Sequence, residues 1–181
     1  LITSSAASDV YKRQNLVSTK IKTTDGKLLD FQEYFVELKS EPEISDVIYS
    51  ESEKADITNE VSKALEEANK IVVGPSNPIL SIGPILAIQN LKEKITKNSS
   101  TYVVSPFIEN KAIKGPSKKN FEDLGYKSDI TGIKEFYDNI GNYYIVQSGD
   151  TDKAENTIEK NILFKSTEDS TNLARYIVDH E

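Results

Sequence analysis

Residues 71–87 read Ile71-Val-Val-Gly-Pro-Ser-Asn-Pro-Ile-Leu-Ser-Ile-Gly-Pro-Ile-Leu-Ala87, and they decide how the rest of the chain is interpreted. The branched apolar residues at 71–73 predict a short buried strand, and the apolar residues that follow predict a helix. Ser81 as N-cap would place Pro84 in the first turn, where its missing N–H costs little. A helix begun at Asn77 would bury Pro84 about two turns in, at a cost of roughly 3 kcal/mol. The sequence therefore predicts a helix over 82–95, with an apolar face formed by Ile82, Ile85, Leu86, Ile88, Leu91 and Ile95.

The connection from Gly74 to Leu80 joins a strand end to a helix N-terminus. Free backbone N–H groups and the positive end of a helix dipole suit a phosphate or a carboxylate. Gly74 would let the backbone approach a ligand closely, and the prolines at 75 and 78 would hold the loop rigid. Further donors and acceptors would come from Ser76, Asn77 and Ser81. A capped strand–helix turn with no ligand explains the same residues, and neither standard nucleotide-binding glycine pattern is present.

Composition limits the function classes. The chain has 181 residues, 37% of them hydrophobic and 28% charged, which predicts a globular domain with a core. A net charge of −7 argues against a nucleic-acid surface, and the absence of cysteine excludes disulfides and thiolate metal sites. No apolar run approaches the ~20 residues of a membrane span. We expect a cytoplasmic protein without nucleic-acid or membrane partners.

Residues 1–14 resemble translated adapter sequence, and the sequence contains no methionine. We therefore expect residues 15–181 to be the C-terminal part of a single α/β domain whose N-terminal half is missing. The one histidine, His180, lies next to the last residue, where we expect a frayed terminus rather than a base or metal ligand.

Strands and helices alternate along the remainder. Asp25-Gly26 predicts a β-hairpin over 16–38. Further predicted strands lie at 47–49, 101–104, 143–146 and 162–164. Predicted helices follow Thr58 and cover 117–124, 131–137, 151–160 and 169–178. This alternation predicts an α/β fold with a mostly parallel sheet covered on both faces.

Polar and proline-rich loops follow the predicted strand ends, where ligands bind open α/β sheets. Lys111 and Lys114 could pair with a phosphate there, although solvated lysines are equally compatible with the sequence. Asp150 is the best placed carboxylate, but it could also be the N-cap of the helix predicted after it. No acidic residues form a compact metal-ligand spacing.

The block from Gly74 to Ala87 closely resembles a signature of the 2-phospho-L-lactate transferase (CofD) family. Other segments agree in order: Thr23-Thr-Asp-Gly26, Phe31-Gln-Glu-Tyr-Phe-Val36, Val104-Ser-Pro106, Lys111-Ala-Ile-Lys-Gly-Pro116, Leu124-Gly125, Asp150 and Leu173-Ala174. The resemblance covers about 15–178. It implies a Rossmann-like three-layer α/β/α fold, with the N-terminal β-hairpin added, and a homodimer.

The resemblance also implies a reaction in coenzyme F420 biosynthesis. Such enzymes move a phospho-lactyl or phospho-enolpyruvyl group from a donor such as lactyl-2-diphospho-5'-guanosine to the deazaflavin 7,8-didemethyl-8-hydroxy-5-deazariboflavin (FO). GMP is released, and Mg²⁺ is required. By analogy, the donor diphosphate or guanosine would bind Gly74, Ser76, Asn77 and Ser81, assisted by Lys111 and Lys114.

Two departures from the family pattern limit what the resemblance assigns. The family's early glycine-rich loop and acidic residues are absent, so the catalytic and metal residues are expected in the missing half. Only Asp150 remains here as a candidate metal ligand. The family often has an aspartate where Gln147 stands.

Other functions remain open. One is a non-enzymatic nucleotide-sugar-binding regulator of the gluconeogenesis-factor family, whose loop usually resembles Gly-Pro-Gly-Ser-Leu-Tyr-Thr-Ser. Another is an inert Rossmann-like interaction domain. Asn77-Pro78 and the 31–36 segment favour the transferase, and the sequence leaves open whether the donor carries lactate or enolpyruvate.

Overall fold

The computed structural model describes residues 17–98, 100–108, 111–112, 115–150 and 154–180, with backbone alone at 111–112. The expected adapter segment, 1–14, lies outside these ranges and stays a prediction. No helix within the described ranges is long and apolar enough to cross a membrane.

An antiparallel three-stranded sheet opens the described part of the chain. It consists of β1 (Ser18–Thr23), β2 (Leu28–Asp30) and β3 (Ile44–Ser50), in the order β2-β1-β3. The hairpin turn at Asp25-Gly26 is confirmed, since Gly26 has a φ of +84° and its N–H bonds to the Thr23 carbonyl. The hairpin's predicted extension to 38 is wrong. Glu33–Glu37 is a π-helix that buries Tyr34, and the Phe31 and Phe35 rings stack 5.4 Å apart at a helical spacing.

The second sheet is parallel and forms the centre of the fold. Its strands are β4 (Ile71–Val73), β5 (Thr101–Val104), β8 (Tyr143–Gln147) and β9 (Thr157–Lys160), in the order β4-β5-β8-β9. A small hairpin of β6 (Phe107–Ile108) and β7 (Lys111–Ala112) follows β5. The strands predicted at 71–73, 101–104 and 143–146 are confirmed.

Two predictions near the C-terminus are wrong. Residues 157–160, expected at the end of a helix, form β9, because the β-branched pair Thr157-Ile158 joins the open edge of the sheet beside β8. Residues 162–164, expected to form a strand, pair with no strand. Instead, the Ile162 and Leu163 N–H groups bond to the Gln147 side chain.

In the ranges that the structure describes, six α-helices surround the parallel sheet, with a 3₁₀ turn at Ser52–Lys54 and a second π-helix at Pro78–Ile82. They are α1 (Asn59–Glu67), α2 (Gly83–Leu86), α3 (Leu91–Thr96), α4 (Ser117–Asp123), α5 (Ile130–Phe136) and α6 (Thr167–Asp179). The Thr58 hydroxyl caps α1 as predicted, accepting the Val61 N–H. Ser166 and Asp169 form a reciprocal capping box at the start of α6.

Side chains that alternate along the strands divide the interior into two clusters. Val103, Tyr144 and Val146 belong to the larger cluster, which α1 to α5 cover. Val104 and Ile145 belong to the smaller one, which α6 covers through residues such as Leu173 and Ile177. This alternation confirms the predicted three-layer α/β/α arrangement, with helices on both faces of a parallel sheet.

Candidate functional site

The helix after β4 begins at Pro78, so the prediction of Ser81 as N-cap is wrong. Asn77 is the N-cap, and its Oδ1 accepts the N–H groups of Ile79 and Leu80, each at 3.0 Å. Pro78 occupies the first helical position, where its missing N–H is not needed. The helix predicted over 82–95 is interrupted, because Ile82 ends the π-helix at 78–82 and the shorter helices α2 and α3 follow. Its predicted apolar face is buried except at Leu86, which is half-buried.

A contact with β3 explains why Pro84 is tolerated in this helix. In the π-helical pattern Gly83 N–H bonds to the Pro78 carbonyl, so the next bond would join residue 84 to the Ile79 carbonyl. Pro84 has no N–H, and the Tyr49 hydroxyl donates to the Ile79 carbonyl instead, at 2.7 Å. A helix that begins after Asn77 is therefore compatible with Pro84, because this tertiary hydrogen bond satisfies the carbonyl that Pro84 leaves without a backbone donor.

Gly83 allows Tyr49 to reach that carbonyl. A Cβ at position 83 would lie 2.0 Å from the Tyr49 hydroxyl oxygen, which is far inside contact distance. Burial raises the pKa of Tyr49 well above its usual value, so its hydroxyl stays protonated and can donate. The glycine of the family block is thus needed for packing at this position.

A chain of hydrogen bonds that runs into the protein interior holds the Asn77 side chain. Asn77 Nδ2 donates to Asn120 Oδ1 at 3.0 Å, and Asn120 Nδ2 donates to the Tyr34 hydroxyl at 2.7 Å. Tyr34 in turn donates to the Ser40 carbonyl at 3.3 Å. Asn120 and Tyr34 are completely buried, and burial raises the pKa of Tyr34. Both ends of the Asn77 amide are therefore occupied within the protein.

The loop amides are mostly occupied as well, which corrects the expectation of free N–H groups. Besides the two that Asn77 caps, Ser76 N–H bonds to the Gly74 carbonyl and Ser81 N–H to the Asn77 carbonyl. Two other features remain open to a ligand. A Cβ added at Gly74 would meet nothing within 4 Å, and the half-buried hydroxyls of Ser76 and Ser81 have no hydrogen-bond partner in the described part of the chain.

The loop lies at the carboxyl edge of the parallel sheet. Gly74 follows β4, Ser105 follows β5 and Ser148 follows β8, and parallel strands end at one edge. The Ser105 side chain is tied down, since it donates to the Phe107 carbonyl and accepts the Phe107 N–H. Only the backbone of Lys111 is described, in β7, and Lys114 lies outside the described residues. The structure therefore brings Gly74, Ser76, Asn77 and Ser81 together and leaves both lysines untested.

Asp150 lies at the same edge. Of the helix predicted at 151–160, residues 151–153 lie outside the described residues, and residues 154–160 form a turn followed by β9 instead. Its N–H bonds to the Gln147 carbonyl across a tight turn in which Gly149 has a φ of +84°. Asp150 is buried. Within the described ranges, no three histidine, aspartate or glutamate side chains are grouped so as to hold a metal ion.

Gln147 has a defined structural role. Its Oε1 accepts the N–H groups of Ile162 and Leu163 at 3.0 and 3.2 Å. Gln147 thereby fixes the segment that follows β9. An aspartate is one methylene shorter and would reach these two N–H groups less well.

His180 is packed rather than frayed, so that expectation is wrong. Its Nδ1 lies 2.8 Å from the Tyr102 hydroxyl oxygen, and its ring contacts those of Tyr143 and Tyr176. Tyr102 and Tyr143 belong to the beginnings of β5 and β8, at the sheet edge opposite Gly74. The histidine therefore has no part in the loop site.

Sequence comparison matches this loop and its surroundings to one family. A profile of the family described as 2-phospho-L-lactate transferase CofD matches residues 13–176. The chain belongs to the CofD family. The 2-phospho-L-lactate transferase of Methanocaldococcus jannaschii is 35% identical over 170 residues, which cover 90% of this chain and 54% of that protein. The enzyme of the same name from Methanococcus vannielii is 36% identical over 182 residues, covering 96% and 58%. This CofD-family chain spans about half the length of these curated relatives.

Solved structures agree on the fold. A crystal structure of a Bacillus halodurans protein superposes with a TM-score of 0.62 and 12% identity, covering 93% of this CofD-family chain and 60% of that one. A second crystal structure from the same organism, described as a member of the UPF0052 family, gives 0.50 and 15%, covering 87% and 49%. At such identities the likeness concerns the fold alone.

The sequence did not reveal that three residues outside the loop support it: Tyr34, Tyr49 and Asn120. A helical pattern could have pointed to one of them. Within the CofD-family segment 117–124, Ser117, Asn120 and Phe121 share one face and are all buried. A polar residue on that face requires a buried partner, but the sequence does not identify the partner.

Proposed function

We propose that this chain supplies the donor-binding loop of a 2-phospho-L-lactate transferase in coenzyme F420 biosynthesis. The observation that carries the proposal is the 74–81 loop, which has the family block's sequence and lies at the carboxyl edge of the sheet. It presents an open Gly74 face beside two hydroxyls that have no partner among the described residues. Family membership and the names of the relatives support the same reaction class.

The proposed reaction transfers a substituted phosphate. A ribityl hydroxyl oxygen of FO attacks the phosphorus that carries the lactyl or enolpyruvyl group, and the bond from that phosphorus to the bridging oxygen breaks. GMP leaves with the bridging oxygen, and the hydroxyl proton is released. Such transfers need alignment and charge neutralisation more than covalent catalysis.

Within the loop we assign different roles to different residues. The open face of Gly74 admits the diphosphate, and the hydroxyls of Ser76 and Ser81 donate to its oxygens. Asn77 acts through the loop rather than on the ligand, because its amide is already bonded to the helix N–H groups and to Asn120. Lys111 and Lys114 remain proposed partners for the donor charge.

Mg²⁺, a homodimer and a cytoplasmic location also belong to this proposal. Bound Mg²⁺ would neutralise diphosphate charge. The described residues do not fit it as a set, since Asp150 is a single carboxylate without a ligand cluster around it. We therefore assign no metal ligands and derive no step through the ion.

The reaction is tested with the full-length protein, incubated with FO, Mg²⁺ and each guanosine diphosphate donor in turn. We expect GMP and a phosphorylated deazaflavin in equal amounts, and comparison of the donors identifies the transferred group. Binding of a nucleotide sugar without any transfer would contradict the proposal and favour the regulator.

The site is tested by GDP binding to single variants in calorimetry. We expect Ser76→Ala and Ser81→Ala each to weaken binding about tenfold, the value of a hydrogen bond to a charged group. Gly74→Ala should weaken GDP binding more than either serine variant does, while leaving thermal stability unchanged. Ser62→Ala is the control, because that hydroxyl bonds to Glu66 on α1, outside the loop.

A further inference from the structure

We infer that Asn120 is a positioning residue for the donor loop, with Tyr34 as its support. The inference rests on the function proposed above, because it concerns the same loop. Asn120 lies on α4, outside the loop, and touches no part that we assign to the ligand.

The amide of Asn120 is the link between the loop and the rest of the protein. It is completely buried and uses both of its ends: Oδ1 accepts from Asn77, and Nδ2 donates to Tyr34. Asn77 donates to Asn120, Asn120 donates to Tyr34, and Tyr34 donates to the Ser40 carbonyl. All three hydrogen bonds therefore point in the same direction. This direction fixes which end of the Asn77 amide faces the helix.

The orientation of Asn77 matters because its Oδ1 caps the first turn after the loop. If Asn77 turned its Nδ2 toward the helix, the N–H groups of Ile79 and Leu80 would face a donor and lose their acceptor. The turn that carries Ser81 would then loosen. Asn120 prevents this by accepting only from the Nδ2 end.

The helix that carries Asn120 is itself anchored to the segment that Tyr34 contacts. Lys119 Nζ donates to the Pro42 carbonyl at 2.6 Å and pairs with Asp123 at 2.5 Å. Asp123 Oδ2 also accepts the Ile44 N–H at 3.0 Å. Tyr34 and α4 are therefore both hydrogen-bonded to the segment 40–44. These bonds fix the position of Asn120 relative to Tyr34.

The test compares two variants of similar size in the whole chain. Asn120→Leu removes both hydrogen bonds, whereas Asn120→Asp keeps an acceptor for Asn77. Amide hydrogen exchange measured by NMR reports the capping directly. We expect exchange at Ile79 and Leu80 to accelerate about tenfold, relative to Val103 in the core, in the leucine variant. The aspartate variant should restore it to within about threefold of the original rate.

Nucleotide binding is the second readout, with GDP as the probe. The leucine variant should bind GDP about tenfold more weakly, and the aspartate variant should recover most of that loss. Thr101→Val is the control, since it removes a buried side-chain hydrogen bond to the Ile95 carbonyl at the opposite sheet edge. It should change global stability but neither the loop exchange nor the binding.

Each outcome decides between positioning and simple stabilisation. Unchanged exchange at 79–80 in Asn120→Leu, or equal acceleration at Val103, would overturn the inference. Selective acceleration in a chain that never binds GDP would support the positioning of the loop and contradict the proposed function. If the leucine variant does not fold, Tyr34→Phe removes the supporting hydroxyl alone and must show the same selective acceleration at smaller amplitude.

Discussion

The two edges of the parallel sheet differ in how completely their polar groups are paired. At the amino edge, Lys70 precedes β4 and donates to the Ile177 and Val178 carbonyls, each at 2.7 Å, and to the His180 carbonyl. At the carboxyl edge, the hydroxyls of Ser76 and Ser81 have no partners among the described residues. The paired edge stabilises the fold, and the open edge carries the loop that we propose to bind the donor.

This difference separates two kinds of mutational effect. Substitutions at the amino edge should lower the free energy of unfolding and leave nucleotide binding intact. Substitutions of ligand-facing groups at the carboxyl edge should do the reverse. Residues that support the loop without facing the ligand, such as Tyr49 and Gly83, should affect both the free energy of unfolding and nucleotide binding.

The largest effect is expected for Gly83→Ala. Its Cβ would overlap the Tyr49 hydroxyl and break the bond to the Ile79 carbonyl, so we expect a loss of about 2–3 kcal/mol in urea unfolding. Gly74→Ala is the matched control at the open edge and should lose less than about 0.5 kcal/mol. Equal losses in the two variants would contradict the contrast between a crowded and an open glycine.

The next effect is expected for Lys70→Met, which removes the ammonium group from the C-terminal end of α6. The carbonyls there lose a charged donor and the helix dipole loses a counter-charge, so we expect about 1–2 kcal/mol of destabilisation. GDP binding should not change. Lys63→Met is the control, since Lys63 forms, among the residues that the structure describes, only an exposed pair with Glu67 at 3.7 Å. A shift in GDP affinity for Lys70→Met would mean that the two edges are coupled.

The sequence alone predicted what local apolar patterns determine. Apolar runs such as 71–73 and 101–104 form strands of the parallel sheet, and the Thr58 hydroxyl caps the helix that begins at the next residue. The errors arose where a distant group changed the local balance. Tyr49 offsets the missing N–H of Pro84, and Gln147 replaces strand pairing for Ile162. Neither partner can be read from a local pattern. A helical pattern places Asn120 on a buried face, but it does not identify Asn77 or Tyr34 as its partners.

A smaller effect is expected for Gln147→Asp, which introduces the residue that the family pattern often has. The shorter side chain should lose part of its hold on the Ile162 and Leu163 N–H groups, at about 0.5–1 kcal/mol in urea unfolding. Gln89→Asp, at an exposed position between α2 and α3, should be close to neutral. A gain in stability for Gln147→Asp would show that an aspartate finds better partners at this strand end.

The smallest effect is expected for Asp169→Asn, and it should depend on pH. Backbone N–H groups of Lys165 and Ser166 donate to the Asp169 carboxylate and lower its pKa in the folded chain. A lowered folded pKa stabilises the chain above the unfolded value of about 3.9, and this contribution is lost as the pH falls through the folded pKa. The variant should therefore unfold at slightly lower urea than the original chain at pH 7, and the difference should shrink by pH 3. Glu168→Gln is the control, because Glu168 shares the first turn of α6 and its helix dipole but accepts no such bonds among the described residues. If both variants lose equal stability with the same pH dependence, the dipole rather than the capping box stabilises this end of α6, because the dipole is the one interaction that the two carboxylates share.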